Sequence, residues 1–194
     1  MKNCKNIYKE IKEIVKDIPE PRGIIHVGGH KGQEGIYYKG VFENILFIEP
    51  IPYCAEILRK RKYDVIEAAI TEKEEIIPFY ITETSDEFSS IFTGPYKTKE
   101  KIMVKSMPLS KIEPNDFNVL AIDVQGASMD VLKSSKLNYE VIIFEASKNP
   151  RYDGEQPMEK IISFVEQHGY KLIEKRKHKG SDVFDVLMKR HEKI

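Results

Sequence analysis

The sequence is short of cysteine, with Cys4 and Cys54 alone among 194 residues. That count excludes a disulfide framework and suggests a reducing compartment. Net charge is also missing: Lys+Arg 31 against Asp+Glu 31 leaves +0. No overall field therefore draws the chain to nucleic acid or to an anionic membrane. No apolar run approaches the ~18 residues of a membrane-spanning helix. The opening Met1-Lys2-Asn3-Cys4-Lys5 lacks the apolar stretch of a secretory leader. The expectation is a cytoplasmic protein with no nucleic-acid or membrane partner. Internal repeats and low-complexity tracts are absent, and so is the phosphate-loop signature Gly-x-x-x-x-Gly-Lys-Ser/Thr.

What is present suits one globular domain over 1–194, at 41% hydrophobic and 32% charged. Ile7, Ile11, Ile14, Val15 and Ile18 fall on a helical period, so an amphipathic helix is expected in the first twenty residues. The main fold then runs over 21–189. The runs Ile24–Val27, Ile45–Ile48, Val119–Val124 and Val141–Glu145 are nearly continuous in apolar residues, as parallel strands buried on both faces are. Helical stretches at 33–39, 53–62, 126–133 and 155–168 separate them, and 64–70 reads as a further strand. The alternation predicts an α/β, Rossmann-like, doubly wound and mostly parallel seven-stranded sheet. Two features depart from the rhythm. Residues 71–110 hold β segments around a polar turn-rich piece, an insertion of the kind that is often functional. Residues 170–175 and 183–189 predict an antiparallel C-terminal hairpin whose basic tip, Lys175–Lys179, reads as solvated.

The stretch from Gly23 to Glu34 runs from a strand into a glycine-rich turn and then a helix start. Such a turn admits a ligand close to the backbone. Three apolar strands end in an acid, at Glu49, Asp123 and Glu145, where open α/β sheets bind ligands. Glu49 lies about twenty residues past the turn, where a carboxylate accepts hydrogen bonds from both ribose hydroxyls of an adenosine ligand. A Gly-x-Gly-x-x-Gly dinucleotide fingerprint ending at Gly32 needs glycine at position 27, which is Val27. The pattern that stands here looks more like the cofactor loop of class I S-adenosylmethionine-dependent methyltransferases.

The chain resembles the FkbM family of methyltransferases, most of which are thought to methylate hydroxyl oxygens. His26-Val27-Gly28-Gly29-His30-Lys31-Gly32 matches that family's first motif, Asp-Val-Gly-Ala-Asn-x-Gly. Ile48-Glu49-Pro50-Ile51-Pro52 matches its Phe-Glu-Pro-x-Pro, and Ala69-Ile70-Thr71 its small-residue patch. Ser89-Ser90-Ile91 looks like its Ser-Ser-Leu. Ile122-Asp123-Val124-Gln125-Gly126-Ala127-Ser128 matches its Ile-Asp-Val-Glu-Gly-Ala-Glu, and Phe144-Glu145 its fifth-strand end. Three positions depart: His26, Gln125 and Ser128 stand where the family has acids.

The resemblance implies S-adenosyl-L-methionine as cofactor, held by His26, Gly28, Gly29, Gly32, Glu49, Pro50, Ala69, Ser90 and Asp123. The implied reaction is O-methylation of a hydroxyl on a sugar, glycan or small metabolite. For the chemistry, a carboxylate or histidine must take the acceptor's proton; Asp123 and His30 are the candidates, with Glu145 positioning the acceptor. No metal site is expected. Two alternatives stay open at this point: an inactive methyltransferase-fold binding module, and a nicotinamide-dependent oxidoreductase.

Overall fold

The four apolar runs become the centre of one sheet. A computed structural model of the protein describes residues 7–191. Its main sheet comprises β1 (Gly23–Val27), β2 (Asn44–Ile48), β3 (Asp64–Ile66), β7 (Val119–Ile122), β8 (Val141–Ser147), β9 (Tyr170–Lys177) and β10 (Val183–Arg190). The order is β3-β2-β1-β7-β8-β10-β9. Only β10 runs against its neighbours, pairing antiparallel with both β8 and β9, while the other pairings are parallel. This is the mostly parallel seven-stranded sheet with a terminal hairpin that the apolar runs predict.

Both faces of the sheet's centre are covered, which is why β1, β2, β7 and β8 carry few polar residues. Ile25, Val27, Leu120, Ile122, Ile142 and Phe144 pack towards α4 (Ser128–Ser134) and α5 (Met158–Gln167). Ile24, Phe47, Ala121 and Ile143 face Ile7, Ile11, Tyr38 and Leu58 on the other side. Tyr38 belongs to α2 (Gly35–Tyr38) and Leu58 to α3 (Pro52–Lys60). Each such side chain, fully buried, contributes about 1.5–3 kcal/mol relative to exposure.

Two expectations need correction. The expected strand over 64–70 is two strands. Glu67 and Ala68 carry the chain off the sheet edge, and β4 (Ala69–Ile70) pairs instead with β6 (Thr98–Met107) of a second sheet, ordered β4-β6-β5 with β5 (Glu75–Thr82). An edge strand needs only a short pairing, so the chain leaves it early. The expected N-terminal helix begins at residues outside those described. Within them it is a 3-10 turn, Ile7–Glu10, and one short helix, α1 (Ile11–Ile14). β-Branched residues are weak helix formers, and here burial of Ile7, Ile11, Ile14 and Val15 fixes the segment without a long helix. Among the described residues no helix is long and apolar enough to cross a membrane.

Candidate active site

The glycine turn is shaped by the strand beside it. Gly28 has φ +82, and a Cβ there would lie 1.8 Å from the carbonyl oxygen of Asp123. The first turn and the end of β7 thus touch backbone to backbone, and no side chain fits between them. The N–H groups of Gly28 and Gly29 donate to the Ile48 carbonyl at 2.9 and 3.2 Å, which ties the turn to the end of β2. Glu49 completes the tie. Its Oε2 accepts the His30 N–H at 2.7 Å and its Oε1 the Ile51 N–H at 2.9 Å. Burial pushes the Glu49 carboxyl up to about 7, against the pull of those two N–H donors.

A cleft opens at these carboxyl ends, where open α/β sheets bind ligands. One part of its lining is apolar: Ile51, Ala69, Ile70, Phe79 and Ile91. The other is polar: Glu49, His30, Asp123 and Gln125, with Gly28 and Pro50 also in its wall. Two of these residues, His30 (φ +43) and Gln125 (φ +50), hold left-handed backbone. For side-chain-bearing residues that conformation costs roughly 1–2 kcal/mol, and such strain clusters at functional sites.

The insertion forms one wall. From the 3-10 turn Asp86–Phe88, Asp86 accepts Lys31 Nζ at 2.8 Å and the Tyr53 hydroxyl, and it lies 3.0 Å from His30 Nε2. Burial works against the charge of Asp86, but Lys31, Tyr53 and His30 outweigh it and hold the carboxyl well below the usual carboxylate range. His30 Nδ1 also meets Gln33 at 3.1 Å. Its Nε2 is buried, 3.0 Å from Asp86 Oδ1 but out of line for a hydrogen bond to it or to any other described residue.

Gln125 organises the far side. Its Nε2 donates to Asp123 Oδ1 at 3.0 Å and to Glu145 Oε1 at 2.9 Å. Tyr152 Oη lies 3.0 Å from Gln125 Oε1 and 3.1 Å from the Phe88 carbonyl. Ser90 Oγ donates to the Gln125 carbonyl at 2.6 Å, so the insertion is pinned here as well. Burial raises both Asp123 and Glu145 above the ordinary carboxyl range, and for Glu145 the charge of Asp123 raises it further. An acid at position 125 would add a third carboxyl; the neutral amide supplies two donors instead. Ser128, the other departure, donates to the Glu145 carbonyl at 2.7 Å.

The structure thus brings Gly28, His30, Glu49, Pro50, Ala69 and Asp123 to one cleft. Gly29, Gly32 and Ser90 stand behind its wall: a Cβ on Gly29 would strike Phe47, and one on Gly32 would strike Leu58. Glu145 adjoins the cleft through Gln125. His26 is not brought there. It sits in the core at 1% exposure, its Nδ1 2.7 Å from Tyr38 Oη, among Tyr8, Tyr38 and Phe47. Strand alternation turns it to the opposite face from Val27, and burial alone pushes its imidazole down to about 3, so it is neutral. Sequence reasoning missed Asp86, Tyr152, His178 and Asp185. An acid inside the apolar run Val183-Phe184-Asp185-Val186-Leu187 was the available signal for the last.

Comparison with known proteins shows the family and the fold. The family model described as "Methyltransferase FkbM domain" matches residues 26–172. No match was found among the curated proteins. Solved structures share the fold at low identity. A TehB-like SAM-dependent methyltransferase from Corynebacterium glutamicum is 11% identical, with 96% of this chain and 89% of that one covered at a TM-score of 0.52. A ribosomal-protein methylase from Lactobacillus delbrueckii subsp. bulgaricus is 8% identical, with 95% and 78% covered and a TM-score of 0.55. A 1,6-didemethyltoxoflavin methyltransferase from Burkholderia thailandensis, solved with that compound and S-adenosylhomocysteine bound, is 6% identical, with 97% and 79% covered and a TM-score of 0.54.

Proposed function

The chain belongs to the FkbM methyltransferase domain family, and from that premise we propose that it methylates a hydroxyl oxygen on a sugar, glycan or similar small metabolite. The family makes it a methyltransferase with S-adenosylmethionine as cofactor, which sets the nicotinamide reading aside.

The cleft fits that cofactor. An apolar lining at Ile51, Ala69 and Phe79 beside the buried acid Glu49 suits a ligand with a flat base and a diol. When bound, the cofactor supplies a methyl group on a sulfonium. Glu49, Gly28, Pro50, Ala69, His30 and Asp123 would hold it. Of the motif departures, His26 lies in the core and Gln125 keeps hydrogen bonds to both acids.

The observation that carries the hydroxyl reading is the pair Asp123 and Glu145, joined by one amide beside the cleft. Carboxylates accept hydrogen bonds from hydroxyls and orient them.

The test has two stages. Isothermal titration with S-adenosylmethionine and S-adenosylhomocysteine should show binding of both. Radiolabelled methyl transfer to a panel of sugars, glycans and small alcohols should then label at least one. Labelling of RNA or amines alone would refute the hydroxyl reading.

A further inference from the structure

Asp185 and Glu145 face each other directly across the β8–β10 ladder, and each side chain is only 12% exposed. Like charges opposed on neighbouring strands destabilise a sheet, and burial raises the cost. Asp123 brings a third carboxyl, linked to Glu145 through Gln125. A sheet under selection for stability alone has no use for this arrangement.

His178 enters the cluster from the turn after β9. Its Nε2 lies 2.9 Å from Asp185 Oδ1, and its Nδ1 lies 3.7 Å from Glu145 Oε2. The backbone holds the ring in place: the His178 N–H donates to the Val183 carbonyl at 2.9 Å, and its own carbonyl accepts the Ser181 N–H at 3.3 Å. One ring nitrogen is thus engaged. The other stops short of a hydrogen bond to Glu145, on a side chain 37% exposed. An acid that orients an imidazole through one nitrogen and leaves the other nitrogen as base is a recurring catalytic arrangement.

We propose that His178, oriented by Asp185, takes the proton from the acceptor hydroxyl, with Glu145 holding that hydroxyl. The inference rests on hydroxyl methylation as the reaction. In the step, the hydroxyl proton passes to His178 Nδ1, the oxygen's lone pair forms the new C–O bond to the methyl carbon, and the C–S pair goes to sulfur. The imidazolium lies between Asp185 and Glu145 and returns its proton to solvent through the exposed edge of the ring. The charged groups around it are Asp185 from β10, Glu145 from β8 and Asp123 at the end of β7. Arg151 lies beyond Glu145, at 3.8 Å. The hydrogen bond to Asp185 and the three acids raise His178 above its ordinary 6.5, against partial burial.

Histidine NMR on the full chain with S-adenosylhomocysteine bound tests the arrangement without an acceptor. Neutral His178 should carry its proton on Nε2, titrate above 6.5, and titrate lower in Asp185→Asn. A proton on Nδ1, or a titration that Asp185→Asn leaves unmoved, would overturn the proposal. Against the panel acceptor, His178→Gln should lose about 100-fold or more in kcat with S-adenosylhomocysteine affinity unchanged. The wild-type rate should rise with pH through the value measured by NMR. Wild-type turnover in His178→Gln, or a stoichiometric Mn²⁺ bound by Glu145, His178 and Asp185, would overturn it too. If the wild-type protein labels no hydroxyl at all, it is the hydroxyl reading that has failed, and the NMR result still judges the His178–Asp185 pair by itself.

Discussion

Glu49 accepts the backbone N–H of His30 at 2.7 Å. The acid that ends β2 therefore shapes the glycine turn that ends β1, besides facing the cleft. Removing it should injure the cofactor site twice, by loss of the carboxylate and by relaxation of the turn. Hydrogen bonds to charged groups contribute about 1.5–3 kcal/mol, so Glu49→Ala should weaken S-adenosylhomocysteine binding by about 10- to 100-fold. Titration calorimetry reads this directly. Unchanged affinity would remove Glu49 from the site.

The insertion closes over the same turn through Asp86, whose partners Lys31 and Tyr53 come from the turn and from α3. Lys31 is 35% and Asp86 20% exposed, so screening limits the ion pair to about 1 kcal/mol or less. Asp86→Asn should therefore leave the fold intact. It should speed S-adenosylhomocysteine release by about five-fold at most and flatten the salt dependence of that rate. Stopped-flow release at low and high salt is the measurement.

His26 makes a prediction about pH. Its imidazole is held at about 3 against an ordinary 6.5, so the folded protein binds fewer protons at this site than the unfolded chain. Its contribution is present above pH 6.5 and is lost as the pH falls towards 3. Glu49 acts in the opposite sense: raised from 4.5 to about 7, its contribution is greatest below pH 4.5 and fades as the pH rises to 7. The two windows overlap, so a single profile of the wild-type protein does not separate them. His26→Phe keeps an aromatic ring beside Tyr8 and Phe47 and removes the titrating group. Urea unfolding should show that the stability gap between wild type and variant widens in favour of the variant between pH 6.5 and 4.5. A constant gap would mean that His26 is not held neutral.

The sheet was legible because burial on both faces leaves strands such as Val119–Ile122 with no polar positions, a pattern that needs no partner information to read. Glu49 was legible by its spacing from the turn. His26 was misplaced because the motif match put it at the cofactor, while the alternation of β1 turns it the other way. The pair His178 and Asp185 was hidden for a different reason. His178 lies in Lys175–Lys179, a run that looks solvated, and its meaning appears only when β10 sets Asp185 opposite Glu145. Cross-strand register between distant segments is written in no local pattern. The early exit of the chain after Ile66 has the same origin, since it depends on β6, thirty residues later.

Gly28 gives the sharpest separation of backbone from side-chain effects. A methyl group at this position would meet the Asp123 carbonyl oxygen at 1.8 Å, far inside contact distance, and the backbone there has φ +82. Both terms act together: left-handed backbone costs a non-glycine residue roughly 1–2 kcal/mol, and the clash must be relieved by parting β1 from β7. Those strands bond through the Asp123 N–H to the Val27 carbonyl at 2.9 Å, beside the cleft itself. Gly28→Ala should therefore lose more than about 3 kcal/mol of stability, in the range of the severe backbone mutations, and S-adenosylhomocysteine binding with it. Gly40, also at positive φ, has nothing within 4 Å of a Cβ, so Gly40→Ala carries the conformational cost alone. Thermal unfolding of the two variants side by side should show a much larger fall in Tm for Gly28→Ala; equal falls would mean that the contact with Asp123 is not what demands glycine in the turn.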